Sequence, residues 1–165
     1  MKTLILYESL HHGNTKKLVD AIAEEYPVEI QDARTFTGDL SDYDAIGFAS
    51  GVAFWKIYNE IFDIAMDKMP FEKDIFFICT AGIPDRDYAA EIRTLAQQRN
   101  NRVHGAYCCR GFDTFGPLKL IGGINKGCPT ESEIRGAVDY YRLVLIECGI
   151  DPDTMQPALP ETQDN

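Results

Sequence analysis

Uninterrupted apolar runs of four or five residues alternate with segments of helical periodicity along the first 150 residues. The runs at residues 4–7, 45–49 and 75–79 contain no charged residue. Strands that are buried on both faces have this composition, and such strands occur mainly in parallel sheets whose faces are covered by helices. The alternation therefore predicts an α/β fold, an open doubly wound parallel sheet of five strands with helices on both faces.

Five strands and four helices follow from these patterns. The strands are expected at residues 4–7, 28–30, 45–49, 75–79 and 102–109. The helices are expected at residues 14–25, 54–69, 85–96 and 130–148. The second helix has an apolar stripe that begins at Phe54, and the third has Asp85 as its N-cap and Tyr88 on its apolar side. Thr130 and Glu133 fit a capping box at the start of the fourth.

Length and charge limit the domain organisation and the choice of partners. Residues 1–149 are expected to form one domain, and residues 150–165 a mobile acidic tail. The net charge is -10, of which the four acidic residues of the tail contribute -4, so the domain carries about -6. Such a surface repels nucleic acid and anionic membranes, so neither is an expected partner. Proteins with basic patches are expected partners instead.

Cysteines and histidines give little sign of a disulfide framework or a metal site. The five cysteines include no C-x-x-C motif, and Cys108 and Cys109 lie in a strand-like run where buried thiols are common. His11 and His12 are adjacent, but no third ligand accompanies them, so no metal site is expected. No apolar stretch is long enough for a signal peptide or a membrane span, so a cytoplasmic protein is expected.

Residues 9–15, between the first strand and the first helix, carry the strongest functional signal. Ser9, Asn14 and Thr15 can form side-chain hydrogen bonds, and Gly13 lets the backbone wrap around an anion. The first N–H groups of a helix lack intrahelical partners and the helix dipole favours negative charge, so this loop suits a phosphate. An ordinary turn in which Asn14 or Thr15 caps the helix is the alternative.

Three further loops are expected beside the loop at residues 9–15, because a doubly wound sheet binds ligands outside the carboxyl ends of its strands. The loop after the third strand contains Ser50, Gly51, Val52, Ala53, Phe54 and Trp55. The loop after the fourth strand contains Thr80, Ala81 and Gly82, and the loop after the fifth contains Arg110, Gly111, Phe112 and Asp113. Two glycine-containing loops and an aromatic pair are thus expected to face one crevice.

At this point the chain resembles the flavodoxin family, over nearly all of residues 1–149. The first loop of that family is a hydroxyl-rich phosphate cradle ending in Gly-x-Thr, and Ser9, Gly13, Asn14 and Thr15 match this frame. His11 and His12 lie where threonine-type residues are usual in the family, and His11 is a candidate contact of the phosphate or the flavin. The resemblance implies the strand order 2-1-3-4-5 and noncovalent binding of FMN.

The resemblance also implies how the flavin ring is held. The second loop of the family places a glycine and an aromatic residue against the isoalloxazine, and Gly51 with Phe54 or Trp55 is similar to that pair. Phe54 also fits the core stripe of its predicted helix, whereas Trp55 lies off that stripe and is the first choice for ring stacking. The third loop, residues 80–82, falls at the pyrimidine edge of the ring, with Tyr88 as a candidate aromatic contact.

The connection at residues 110–129 is long for a compact domain and rich in apolar residues. It is expected to form a cap over the flavin edge, a partner surface, or a small satellite cluster packed on the body.

The expected function is electron transfer between redox partner proteins with basic patches, by a monomer or a weak homodimer that binds FMN. The first alternative is an FMN-dependent oxidoreductase that takes hydride from NADH or NADPH and reduces a quinone or another small acceptor. A flavin-free interaction module on the same fold is the second alternative.

Overall fold

Five parallel strands form the central sheet of the computed structural model, which describes residues 1–155. The five parallel strands are β1 (Thr3–Glu8), β2 (Glu29–Asp32), β3 (Ala45–Ala53), β5 (Asp74–Ala81) and β6 (Arg102–Arg110). A short sixth strand, β4 (Lys56–Ile57), is antiparallel. The helices are α1 (Asn14–Glu25), α2 (Asn59–Lys68), α3 (Ala90–Gln98) and α4 (Glu131–Glu147). Short 3₁₀ turns lie at Ala33–Thr35, Leu40–Asp42, Gly116–Ile121 and Pro152–Thr154.

The order of the parallel strands is β2-β1-β3-β5-β6, and β4 pairs antiparallel with the end of β3. Since β5 and β6 are the fourth and fifth parallel strands, this is the predicted order 2-1-3-4-5, and the predicted fold class is confirmed. Successive strands are added to one side of β1 and then, from β3 onward, to its other side, so the strand order reverses between β1 and β3. A doubly wound sheet binds its ligand at this switch point.

Each face of the sheet is covered by one pair of helices. Alternate side chains of the strands, such as Leu4, Leu6 and Phe48, pack in one core against α2 and α3. Ile5 and Phe76 pack in the other core against α1 and α4. Because the central strands are buried on both sides, each large apolar side chain there stabilises the fold by about 1.5–3 kcal/mol.

The prediction that the second helix begins at Phe54 is wrong. The strand β3 continues to Ala53, Phe54 and Trp55 form a two-residue turn, and α2 begins only at Asn59. Phe54 is 77% exposed, so it does not belong to the core stripe. The stripe from Ile61 onward is sufficient to pack the helix, and pairing of β3 with β4 excludes helical backbone before it.

The predicted third helix also begins later, at Ala90. The carboxylate of Asp87 accepts a hydrogen bond from the backbone N–H of Ala89 at 3.1 Å, which ends the preceding turn. Tyr88 therefore lies before the helix, and its hydroxyl donates to the carbonyl of Ile83. Asp85, the expected N-cap, lies in the loop as well.

The first part of the predicted acidic tail packs on the domain. Pro152 is buried, and Asp153 forms two hydrogen bonds of 2.8 Å with the guanidinium of Arg142 in α4. Ile150 and Met155 pack against the core formed with α1 and α4. The packed part of the chain thus extends beyond residue 149, and residues 156–165 of the predicted tail lie outside the described residues.

Candidate functional site

The turn from β1 into α1 presents a row of backbone donors. Gly13 is the N-cap residue, with φ 65° in the left-handed region, and it has no side-chain cap. The N–H groups of residues 11, 12, 13 and 15 donate to no protein group within residues 1–155, whereas the N–H of Lys16 donates to Ser9 Oγ at 3.2 Å. Free N–H groups at the positive end of a twelve-residue helix can donate hydrogen bonds to an anion's oxygens and so suit a negatively charged group.

Two buried side chains of this turn tie it to neighbouring loops. Asn14 Nδ2 donates to the carbonyl of Phe112 at 2.9 Å, and Thr15 Oγ1 is hydrogen-bonded to Thr80 Oγ1 at 2.8 Å. Asn14 Oδ1 is buried and has no partner among the described residues. A buried amide oxygen without a partner is energetically unfavourable, so this atom suits a hydrogen bond from a hydroxyl group of a ligand.

The hairpin of β3 and β4 forms the second wall of the site. Ser50 Oγ donates to the carbonyl of Gly51 at 2.7 Å and accepts from the N–H of Tyr58 at 2.9 Å. A Cβ at Gly51 would lie 2.5 Å from the ring of Tyr58, so only glycine permits this contact. At the tip of the hairpin, the guanidinium of Arg86 lies 4.4 Å from the centre of the Trp55 ring. The aromatic tip is thus held over the crevice.

Residues 111–125, which we call the cap, fold over the loop at residues 9–15. The ring of Phe115 packs edge-on against Phe54, with centroids 4.5 Å apart, and against His11 at 5.8 Å. His12 packs on Phe112 at 4.3 Å and is hydrogen-bonded to Thr114 Oγ1 at 2.9 Å.

The outer surface of the cap is apolar and exposed. Leu120 and Ile121 are 89% and 73% exposed, and no residue of the turn Gly116–Ile121 is buried. The turn Gly116–Ile121 therefore does not pack as a satellite cluster, whereas Phe112, Phe115 and Ile124 of the same segment are half-buried.

Two adjoining cavities lie between these elements. The larger has a volume of ≈ 590 Å³, within the usual range of small-molecule sites. It is lined by Val52, Ala53, Phe54, Trp55, Ala81, Gly82, Ile83, Tyr88, Asp113, Phe115, Gly116, Pro117, Leu118 and Ile124. The smaller lies at the phosphate loop, has a volume of ≈ 20 Å³, and is closed by His11 and Phe115, so it has room for about one water molecule.

The fold and the loop chemistry agree with one family of known proteins. Residues 4–111, more than half of the chain, match the family described as the flavodoxin domain. The chain belongs to the flavodoxin family. It is 36% identical over 148 residues to the uncharacterized protein MJ0298 of Methanocaldococcus jannaschii, and the alignment covers 88% of this chain and 99% of that relative.

Solved structures of flavodoxins and flavoproteins share the fold. A flavodoxin from the domain Archaea has a TM-score of 0.60 at 16% identity, over 87% of this chain and 99% of that chain. A flavoprotein in complex with FMN from Lactobacillus acidophilus has a TM-score of 0.53 at 20% identity, over 66% of this chain and 92% of that chain. Within residues 1–155, no helix is both long and apolar enough to cross a membrane.

A buried carboxyl group lies at the end of β1, next to the candidate site. Glu8, the last residue of β1, is only 3% exposed, and burial raises the pKa of its carboxyl, although backbone N–H groups at the start of α2 oppose the shift. Burial and the charges of Glu8 and Asp113 raise the pKa of Tyr58 to about 12, so its hydroxyl stays protonated as a donor. Neither Glu8 nor Tyr58 was a predicted site residue.

The fold brings most of the predicted site residues together. Ten of them line the smaller cavity: Ser9, His11, Asn14, Thr15, Gly51, Val52, Ala53, Thr80, Ala81 and Gly82. Phe54, Trp55 and Tyr88 line the larger one. Gly13 acts through its backbone, and Ser50 is buried with its hydroxyl committed to the hairpin.

Gly111 and Asp113 also line the smaller cavity. The position of their loop at the carboxyl end of the fifth predicted strand placed them at this edge of the sheet, but they were not assigned to the site.

Proposed function

We propose that this flavodoxin-family protein binds FMN noncovalently and carries electrons between redox partner proteins. The observation that carries the proposal is the row of free N–H groups at residues 11–13 and 15, next to an apolar cleft of ≈ 590 Å³. An anion cradle beside an apolar cleft matches a molecule with a phosphate at one end and a flat aromatic ring at the other.

The residues present fit the two ends of FMN. The N–H groups of residues 11–13 and Thr15 would hold the phosphate, and the unpaired Asn14 Oδ1 would accept from a hydroxyl of the ribityl chain. Trp55 and Tyr88 would pack on the ring. When bound, the flavin supplies the capacity to take up and release one or two electrons.

Binding requires the cap to move. A phosphate group needs more room than the ≈ 20 Å³ at the phosphate loop, because His11 and Phe115 close this space. His11 is exposed, Phe115 is half-buried, and none of the residues Gly116–Ile121 is buried. An outward displacement of residues 115–121 therefore breaks few core contacts, whereas the hydrogen bond from Asn14 to the carbonyl of Phe112 holds the start of the cap in place. This difference supports residues 115–121 as the entrance to the site.

The overall charge supports the choice of partners. A protein with a net charge of -10 attracts basic surfaces over a distance set by the ionic strength. We therefore include in the proposal redox partners with basic patches, and a chain that is monomeric or weakly dimeric.

The test is a titration of the FMN-free protein with FMN and with riboflavin, followed by flavin fluorescence. Riboflavin lacks the phosphate, so it should bind at least about tenfold more weakly, since each hydrogen bond to a charged group contributes about 1.5–3 kcal/mol. Equal affinities would contradict a phosphate site at residues 9–15.

The activity is tested by mixing the FMN-loaded protein with NADH or NADPH. A carrier should be reduced very slowly by either nucleotide alone and rapidly when a flavoprotein reductase is added. Rapid direct reduction with turnover of a quinone would instead show an FMN-dependent oxidoreductase.

A further inference from the structure

A second cluster of polar side chains lies at the opposite, amino-terminal edge of the sheet. Asp74 is the first residue of β5, His104 lies near the start of β6, and Cys148 follows the last residue of α4. The eight residues of β5 separate this edge from the proposed flavin cleft by about 23 Å, which is seven steps of ~3.3 Å. The cluster is therefore independent of the proposed FMN site.

The imidazole of His104 is the centre of the cluster and is only 2% exposed. Its Nδ1 lies 2.6 Å from Glu147 Oε2. Its Nε2 lies 2.7 Å from Asp74 Oδ1 and 3.5 Å from Cys148 Sγ. The ligand atoms of Asp74, His104 and Cys148 all lie within 4.8 Å of one another.

This arrangement directs three electron-pair donors at one point. When Nδ1–H donates to Glu147, Nε2 is left with a lone pair that faces a carboxylate oxygen and a sulfur atom. Two lone pairs 2.7 Å apart repel each other, so either a proton or a metal ion lies between His104 Nε2 and Asp74 Oδ1. The guanidinium of Arg102 contacts Asp74 at 2.5 Å, but its side chain is 57% exposed and is free to turn into solvent.

We propose that Asp74, His104 and Cys148 bind a divalent transition-metal ion of the zinc class. One oxygen, one nitrogen and one sulfur ligand suit Zn²⁺ and Co²⁺, whereas Mg²⁺ and Ca²⁺ prefer oxygen ligands alone. With three protein ligands, the fourth position of a tetrahedral centre is left to water.

The nitrogen–sulfur distance agrees with this geometry, and the nitrogen–oxygen distance is about 0.7 Å shorter than it requires. Metal–ligand bonds of about 2.0–2.3 Å at tetrahedral angles place nitrogen and sulfur about 3.6 Å apart, and His104 Nε2 lies 3.5 Å from Cys148 Sγ. Nitrogen and oxygen ligands would stand about 3.4 Å apart, so the 2.7 Å contact between His104 and Asp74 must open slightly.

Glu147 would not bind the metal itself but would hold the ring of the His104 ligand in place. Histidine ligands of metals commonly donate their other N–H to a carboxylate, which fixes the tautomer and orients the ring. The 2.6 Å contact between Glu147 and His104 Nδ1 has this form. A metal bound here would join β5 and β6 to the end of α4, and it should raise the stability of the folded chain.

The site is tested with untagged, FMN-free protein that has been treated with a chelator and titrated with Co²⁺. One equivalent should produce the visible bands of tetrahedral cobalt and a near-ultraviolet sulfur-to-cobalt band, and Zn²⁺ should remove both. Cys148→Ser should abolish the sulfur band and lower the Zn²⁺ affinity at least about 100-fold, while Glu147→Gln should lower it about 10–100-fold.

The matched control is Cys128→Ser, because Cys128 is another buried thiol outside the cluster. This variant should keep the cobalt spectrum, and Zn²⁺ should raise the melting temperature of both the wild type and Cys128→Ser, but not of Cys148→Ser. A spectrum without tetrahedral bands, or one that is unchanged in Cys148→Ser, overturns the proposal. FMN affinity measured on the same samples should not change, so failure of the metal site is separable from failure of the FMN site.

Discussion

Gly13 holds the backbone conformation on which the phosphate loop depends. Its φ of 65° is disfavoured for any residue with a Cβ, although a Cβ there would meet no atom within 4 Å. We expect Gly13→Ala to lower the free energy of unfolding by about 1–2 kcal/mol. Relaxation of the strained turn should displace the N–H groups of residues 11–13 and weaken FMN binding about tenfold or more, as measured by fluorescence titration.

Gly149 provides the matched control for Gly13. It has φ 80°, and a Cβ there would likewise meet no atom within 4 Å, but it lies just after α4 and away from the site. Gly149→Ala should cause a similar loss of stability in urea unfolding and leave FMN affinity unchanged. Equal FMN affinities in the two variants would show that the conformation at Gly13 does not position the phosphate donors.

Phe54 and Trp55 occupy a turn that suits other residue types. Their φ values of 51° and 67° are those of a two-residue hairpin turn in which Asn-Gly is favoured. The double variant Phe54→Asn, Trp55→Gly should raise the free energy of unfolding by about 1 kcal/mol. It should weaken FMN binding, because the aromatic surface that faces the cleft is lost.

Glu72 supplies the control for the hairpin, since it also has a positive φ, of 57°, outside the residues that line the two cavities. Glu72→Gly should raise the stability without any effect on FMN. If the hairpin variant bound FMN as tightly as the wild type, the aromatic tip would have no part in holding the ring. Both quantities are obtained from urea unfolding and flavin titration.

Among the elements, α4 has the most complete N-terminal cap. Glu133 Oε2 accepts from the backbone N–H of Thr130 at 2.8 Å, and Glu133 Oε1 accepts from Arg110 Nε at 2.9 Å. Burial raises the pKa of Glu133, but the bonds from Thr130 and Arg110 outweigh this effect and lower it from 4.5 to about 2. The cap also ties α4 to the end of β6.

The lowered pKa of Glu133 predicts a defined pH dependence of stability. Since the folded pKa lies below the unfolded one, the stabilisation is fully present above pH 4.5 and is lost as the pH falls through about 2. Glu133→Gln should therefore lower the free energy of unfolding by about 1–2 kcal/mol at pH 7. The difference from the wild type should shrink between pH 4.5 and pH 2, as measured by urea unfolding at each pH.

Glu131 lies in the same first turn of α4 but takes no part in the capping box. Glu131→Gln should change the stability by only a few tenths of a kcal/mol, through the helix dipole. A Glu133→Gln variant whose stability relative to the wild type did not change with pH would contradict the role assigned to the carboxylate.

Over the whole molecule, the net charge of -10 should govern encounters with basic partners. Electron transfer from the reduced, FMN-loaded protein to a basic cytochrome should slow when the ionic strength rises from about 0.01 M to 1 M, because the Debye length falls from about 30 Å to 3 Å. Stopped-flow absorbance measures the rate. A small uncharged quinone serves as the control acceptor, and its rate should hardly change. Equal salt dependence for the two acceptors would argue against docking guided by charge.

The amino-acid sequence alone determined the class of fold and, through its family resemblance, the strand order. Continuous apolar runs such as residues 75–79 can be buried on both faces only in a sheet covered by helices on each side. Side-chain periodicity and the free N–H groups at a helix start are local properties, so a phosphate site at residues 9–15 could be predicted before any contact was known.

Only the tertiary structure decided the details that depend on contacts between distant residues. Phe54 fits a helical stripe by spacing, but pairing of Val52 with Ile57 places it in an exposed turn. The contact that narrows the cavity at residues 9–15 needs His11 to meet Phe115, and the proposed metal site needs Asp74 to meet His104 and Cys148. The partners in these last two sets are 30 to 104 residues apart in the chain, so no local pattern records them, and only the packing of the sheet and helices brings them together.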